Sequence, residues 1–239
     1  MFLTFDWHYL LYVAIPMGIL MGVCQLWVML AYAKWSQVNN RKGITGAEAA
    51  MVILKHAGIN DVRVEEVDGW LSDHYAPTEK VLRLSPKNFS GTSIAAVGVA
   101  AHEAGHAVQH ARAFAPLYLR NIAVPLASIG SQFGYLALII GFTFMSAKIN
   151  VLTISGLCLL AFVVFFQLVN LPVEFDASRR ALALLPGIGI LNAEETVGAR
   201  KVLTAAAMTY VAATIAALWT LLFWAMRLGL LGGGRSSDD

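Results

Sequence analysis

Four long apolar stretches limit what this chain can fold into more than any other feature. They run from about Tyr9 to Ala33, Ile122 to Ala147, Val151 to Leu171 and Leu203 to Met226. Each approaches or exceeds the roughly 20 residues that a helix needs to cross the hydrocarbon core of a bilayer. In lipid every backbone N–H and C=O must be bonded within the protein, so stretches of this kind fold as helices. Composition agrees, with 58% of the 239 residues hydrophobic and 13% charged, against about half and about a quarter in soluble domains. The expected fold class is mainly α, a polytopic membrane protein of about four transmembrane helices with a small α+β insert. The first stretch ends in Ala31-Tyr32-Ala33, which looks like a signal-peptidase site, but it lacks a basic leader and is too long for a signal core, so it is expected to be an anchor. Trp7, Tyr9, Tyr12 and Trp35 flank it as interfacial aromatics do.

Lys and Arg set the expected orientation, because they are retained on the cytoplasmic side. Fourteen of them fall in the segments 34–121 and 172–202, and only Lys148, Arg227 and Arg235 fall elsewhere. Both polar segments are therefore expected in the cytoplasm and both termini outside, in a multi-pass membrane protein. A net charge of +2 and the lack of a basic stripe interleaved with aromatics exclude nucleic acid as a partner. Cys24 and Cys158 lie inside apolar runs and are expected to be small buried hydrophobes rather than metal ligands. Gly18 to Gly22 and Gly130 to Gly134 are Gly-x-x-x-Gly steps that permit close helix contact, within a bundle or in a homo-oligomer.

In the first polar segment Thr45-Gly46-Ala47-Glu48 predicts a capping box opening a helix to about His56, ended by Gly58. Val62 to Val67 and Lys80 to Leu84 alternate in part and predict short strands. Ser90 is expected to cap a long, thin helix rich in Ala and Gly that reaches about Arg112. Asn192 with Glu195 predicts a second cap, opening a helix that continues into the fourth span. The Gly232-Gly233-Gly234-Arg235-Ser236-Ser237 tail is expected to be disordered.

The long helix carries Ala101-His102-Glu103-Ala104-Gly105-His106, an H-E-x-x-H motif. Residues four apart stand on one helix face, so both imidazoles can reach one Zn2+, with Glu103 beside it. Chance supplies such a motif on the order of once in a hundred chains of this length, and two histidines and a glutamate are costly to bury in an Ala/Gly helix without a role. His102 and His106 are therefore expected zinc ligands and Glu103 the base that takes a proton from attacking water. A catalytic zinc takes three protein ligands. Glu174, at the mouth of the third span and on the expected side of the membrane, is the candidate for the third; an ion pair of Glu174 with Arg179 or Arg180 is the alternative. In a helix from Pro172, Asp176 points well away from Glu174 and Ser178 stands beside it. His110 lies about 12 Å along the axis from His102, too far to share the ion. His74 is a candidate oxyanion donor from a loop, with a plain surface histidine as its alternative.

Asp73-His74-Tyr75-x-Pro77, Leu84-Ser85, Ser93-Ile94-Ala95-Ala96, Ala101 to Ala107 with Gln109, Leu171 to Ser178, and Ala205-Ala206-Ala207-x-Thr209-Tyr210-Val211-Ala212-Ala213 occur in that order. Together they resemble the YugP-like family of bacterial membrane neutral zinc metallopeptidases over nearly the whole chain. The resemblance implies one membrane peptidase domain over residues 1–239. More distantly, the layout is similar to the HtpX-like membrane gluzincins, which implies zinc held by two histidines and a downstream glutamate, and a substrate strand laid against a sheet edge. Lys80 to Leu84 is the counterpart of that edge, and Ser178 stands where the wider group carries an orienting carboxylate. The function expected is a zinc endopeptidase acting on peptides or membrane proteins. A zinc-stabilised scaffold without activity is the alternative, and Glu103 separates the two, since a scaffold needs the ligands but not the base.

Overall fold

The computed structural model describes residues 7–144 and 149–231; Lys148, Arg235 and the glycine-rich tail lie outside the described residues. Along the chain come α1 (Trp7–Tyr9), a π-helical turn (Leu10–Ala14), α2 (Ile15–Trp35), α3 (Gly46–His56), β1 (Arg63–Glu66), β2 (His74–Ala76), β3 (Val81–Leu84), α4 (Pro86–Phe89), α5 (Ile94–Ala111), α6 (Ala115–Phe144), α7 (Val151–Gly187) and α8 (Ala193–Arg227). Among the described residues four helical stretches are long and apolar enough to cross a membrane: Trp7–Trp35, Ala115–Thr143, Val151–Gly187 and Ala193–Arg227. The protein is mainly α and polytopic, as its sequence predicts.

At 37 residues, α7 is about 55 Å long, well beyond a hydrocarbon core of about 30 Å. It runs straight through Pro172, where the sequence suggested that a new helix begins. Proline removes one backbone donor, and helices of membrane bundles tolerate that loss because neighbouring groups satisfy the freed carbonyl.

The chain divides into two compact units. The first comprises Met1–Gly22, Arg120–Val169 and Val211–Asp239. In it α6 and α7 meet closely: a Cβ on Gly130 would lie 2.9 Å from the Leu159 carbonyl oxygen, and one on Gly134 3.2 Å from Leu159 Cβ. This Gly-x-x-x-Gly step is thus used within the chain. Trp224 is enclosed by Tyr9, Tyr135, Phe142 and Phe223. Asn150 and Thr153 cap α7 reciprocally, each side chain accepting from the other's backbone N–H at 2.9 and 3.0 Å. Cys158 is exposed on α7, so only Cys24 is the buried hydrophobe expected; an outward face of a span meets lipid, not protein core.

The second unit comprises Val23–Leu119 and Asn170–Tyr210. Its core gathers Ile53 of α3, Leu82 and Leu84 of β3, Val97 and Ala104 of α5, Ala181 and Leu185 of α7, and Leu203 of α8. The capping box on α3 forms as predicted, Glu48 N–H donating to Thr45 Oγ1 and Thr45 N–H to Glu48 Oε2. So does the reciprocal cap of Asn192 and Glu195 on α8. Ser90 does not cap α5. It closes α4, and its hydroxyl donates back to the Pro86 carbonyl at 2.9 Å. The cap is Ser93, whose Oγ accepts from Ala96 N–H at 3.1 Å.

The sheet has the order β1-β3-β2, with β1 parallel and β2 antiparallel to β3. Lys80 to Leu84 therefore lies along the central strand, not on an edge. Val81, Leu82 and Leu84 are fully buried, which suits a strand paired on both sides; the edges are β1 and β2. What leads the chain into β2 is Asp73. Its carboxylate accepts from Ser85 N–H at 2.8 Å, from Ser85 Oγ at 3.1 Å and from Asn88 Nδ2 at 2.9 Å, and Asn88 Oδ1 accepts from Tyr32 OH at 2.8 Å. Asp73→Ala orphans these donors at about 1–3 kcal/mol for each one left buried. A fall in the thermal unfolding midpoint in detergent is expected for Asp73→Ala and not for Asp61→Ala, whose carboxylate meets an exposed Lys80.

Candidate metal centre

α5 is built thin so that another backbone can lie against it. A Cβ on Gly105 would come 2.7 Å from the carbonyl oxygen and 3.2 Å from the Cα of Ala177 on α7, so only glycine permits this crossing. It sets the motif face of α5 against the turn of α7 that carries Glu174 and Ser178.

At the crossing the three expected ligands come together. The rings of His102 and His106 stand edge to face with centroids 4.8 Å apart. Glu174 Oε2 lies 3.3 Å from His102 Nε2 and 3.8 Å from His106 Nε2. One ligating atom from each residue falls within 4.8 Å of the others. Two zinc bonds of about 2.0–2.1 Å at a tetrahedral angle hold their ligand atoms about 3.3 Å apart, so the two nitrogens and the carboxylate oxygen fit one zinc ion. Glu174 and His106 are buried. Arg179 and Arg180 hold Asp176, on the far side of the turn.

Hydrogen bonds fix which nitrogen of His106 carries the proton. Gln109, fully buried, donates through Nε2 to the Val173 carbonyl at 2.8 Å and to Asp176 Oδ2 at 3.0 Å. Both partners only accept, so the amide orientation is determined and Gln109 Oε1 must accept from His106 Nδ1–H, at 3.0 Å. His106 Nε2 is left with its lone pair toward Glu174. For His102 to offer Nε2 in the same way, Nδ1 must carry the proton, and Ser178 Oγ lies 3.1 Å away to accept it. Ser178 thus does as a neutral acceptor what a carboxylate does in many metal sites. The sequence placed Ser178 beside Glu174 but gave Gln109 no role. The signal was there in its spacing, three residues after His106 on the same helix face.

Glu103 follows His102 and is 9% exposed. Burial pushes its carboxyl up to about 7, against the opposing pull of His102. Among the described residues no side chain hydrogen-bonds to it. His74 stands not in a loop but on the edge strand β2, exposed, its Nδ1 2.8 Å from the Ser72 carbonyl. It is outside the ligand cluster, though near enough for its charge to act on Glu103. Beside it Tyr75 OH lies 2.8 Å from His110 Nδ1, with the phenol pushed up to about 12 by burial. His110 is thereby accounted for without a metal.

Four membrane-crossing helices among the described residues, with the two histidines of an H-E-x-x-H helix set against a glutamate of another helix, are the architecture of a membrane metallopeptidase. Residues 9–229 match the family described as "Putative neutral zinc metallopeptidase", and the chain belongs to that family, whose metal is zinc. The chain is 43% identical to "Putative membrane protease YugP" of Bacillus subtilis (strain 168) over 195 residues, which is 82% of this chain and 85% of that protein. No solved structure matches it.

Two substitutions test the geometry. Gln109→Leu removes the acceptor for His106 Nδ1–H and is expected to weaken zinc binding about 10- to 100-fold in a competition titration against a chelating dye. Gly105→Val must push α7 away and is expected to purify without zinc, whereas Gly18→Val, which meets nothing within 4 Å, is expected to keep it.

Proposed function

We propose that this protein is a membrane-embedded endopeptidase in which His102, His106 and Glu174 hold the zinc and Glu103 is the general base. The observation that carries this reading is the convergence of ligand atoms from half-buried His102 and buried His106 and Glu174, beside Glu103, whose carboxylate takes no side-chain hydrogen bond among the described residues. Zinc, when bound, supplies a Lewis acid that polarises a carbonyl oxygen and brings the acidity of water near neutrality. Glu103 takes the proton of the attacking water and hands it to the leaving amine. Ser178 and Gln109 keep Nε2 of the two histidines turned inward throughout. A peptide in extended form adds to the β2 edge by strand pairing, where His74 is the donor available to a developing oxyanion.

The same reading takes residues 1–239 as one peptidase domain in the bacterial inner membrane. The bias of cations toward residues 34–121 and 172–202 turns the active site to the cytoplasm and both termini outward. Substrates are peptides or membrane proteins. Any contact between copies of the chain falls to Gly18 and Gly22, which face open space, since Gly130 and Gly134 are occupied by α7.

The test compares wild type with Glu103→Gln in detergent, on casein and on membrane-protein substrates. Equal zinc in both, with chelator-sensitive cleavage by the wild type and a loss of at least about 100-fold in the variant, is the expected outcome. Zinc in both with cleavage by neither would favour a scaffold, and undiminished cleavage by Glu103→Gln would remove the base from this account.

A further inference from the structure

Where α2 and α8 lie together in the second unit, a groove of about 450 Å3 opens to the outside. Its apolar wall is formed by Trp27, Leu30 and Trp35, and its rim by Lys34, Arg200 and Lys201. A Cβ on Gly198 would fall 2.5 Å from the Trp35 ring, so glycine there lets the indole lie flat against α8. Around that ring two ammonium groups gather, Lys34 Nζ at 5.6 Å and Lys201 Nζ at 5.7 Å from the centroid.

Among the described residues Lys34, Arg200 and Lys201 form no ion pair with a carboxylate. On α8 the acids are Glu194, paired with Arg41 at 2.9 Å, and Glu195, which accepts from the backbone N–H groups of Asn192 and Arg41. One turn before Arg200 and Lys201 stand Thr196 and Val197, and one turn to either side of Lys34 stand Leu30 and Val38. Three like charges held together unpaired attract an anion. The floor below them is apolar and continues onto exposed Leu30 and Trp27 of a membrane-crossing helix. A free anion would use the cations and leave that floor bare; a lipid with a charged headgroup uses both.

We propose that this groove binds an anionic phospholipid, its phosphate against Lys34, Arg200 and Lys201 and an acyl chain along Trp27 and Leu30. Charge complementarity and the position at the end of a span separate it from the lipid-facing surface elsewhere on the helices. The proposal is independent of the peptidase chemistry, since none of these residues belongs to the metal centre.

The test is native mass spectrometry of the full chain in detergent, titrated with phosphatidylglycerol or with phosphatidylcholine. One variant combines Lys34→Ala, Arg200→Ala and Lys201→Ala. A control of equal charge loss combines Lys55→Ala, Lys87→Ala and Arg112→Ala, all exposed. Wild type and control are expected to retain one phosphatidylglycerol, and the groove variant, which loses three cations at about fivefold each, to bind it about 100-fold more weakly. Lys201→Gln alone, expected to lose about fivefold, gives the same answer should the triple variant fail to fold. Equal retention of phosphatidylcholine by wild type, undiminished binding by the groove variants, or an equal loss in the control would each overturn the proposal.

Discussion

Backbone-to-backbone contact between Gly105 of α5 and Ala177 of α7 is the constraint on which the candidate centre depends. With no side chain between them, the two helices meet at a distance that ordinary residues forbid. That brings the His102 and His106 pair within reach of a carboxylate 68 residues further on, after the chain has left along α6 and returned along α7. The same approach lets Gln109 span to the Val173 carbonyl and Ser178 to His102. One small residue inside the motif thus brings together the two histidines, the Glu174 carboxylate and the groups that orient them.

Around the crossing, polar groups are organised by what each can accept or donate. Asp176, held by Arg179 and Arg180, presents an oxygen to the Gln109 amide; the amide, with its direction fixed, presents an oxygen to His106. In a buried setting such a chain is strong only when every member is satisfied, and here each link has its complement. The outcome is a site whose nitrogens face inward before any metal arrives, so less reordering accompanies binding.

Much of this was legible in the sequence because the relevant signals are local. Apolar length gave the spans, Thr45 with Glu48 and Asn192 with Glu195 gave two helix starts, and the four-residue spacing gave the histidine pair. Glu174 stood out by its place at the mouth of the third span, helical geometry allowed only one of Glu174 and Asp176 to face the metal, and the two side chains do part company in that way. What escaped depends on tertiary contact. Strand β2 is three residues long and is held in place by Asp73, twelve residues before its partner Ser85. The central position of β3 follows from pairing on both sides, which no pattern within four residues reveals. Ser90 and Ser93 are equally good caps on paper; the short helix begun by Pro86 decides between them. Gln109 was quoted in the resemblance without a role, because its task is defined by groups on another helix.

The central claim, that the zinc sits at this crossing with Glu174 as its third protein ligand, is open to direct spectroscopy. Glu174→Cys exchanges an oxygen ligand for sulfur without touching the histidines, and the zinc-edge X-ray absorption of the purified variant reads the change. The account predicts one sulfur scatterer at about 2.3 Å beside nitrogen at about 2.0 Å, where wild type shows nitrogen and oxygen only. A zinc-loaded variant with no sulfur in its first shell would contradict it.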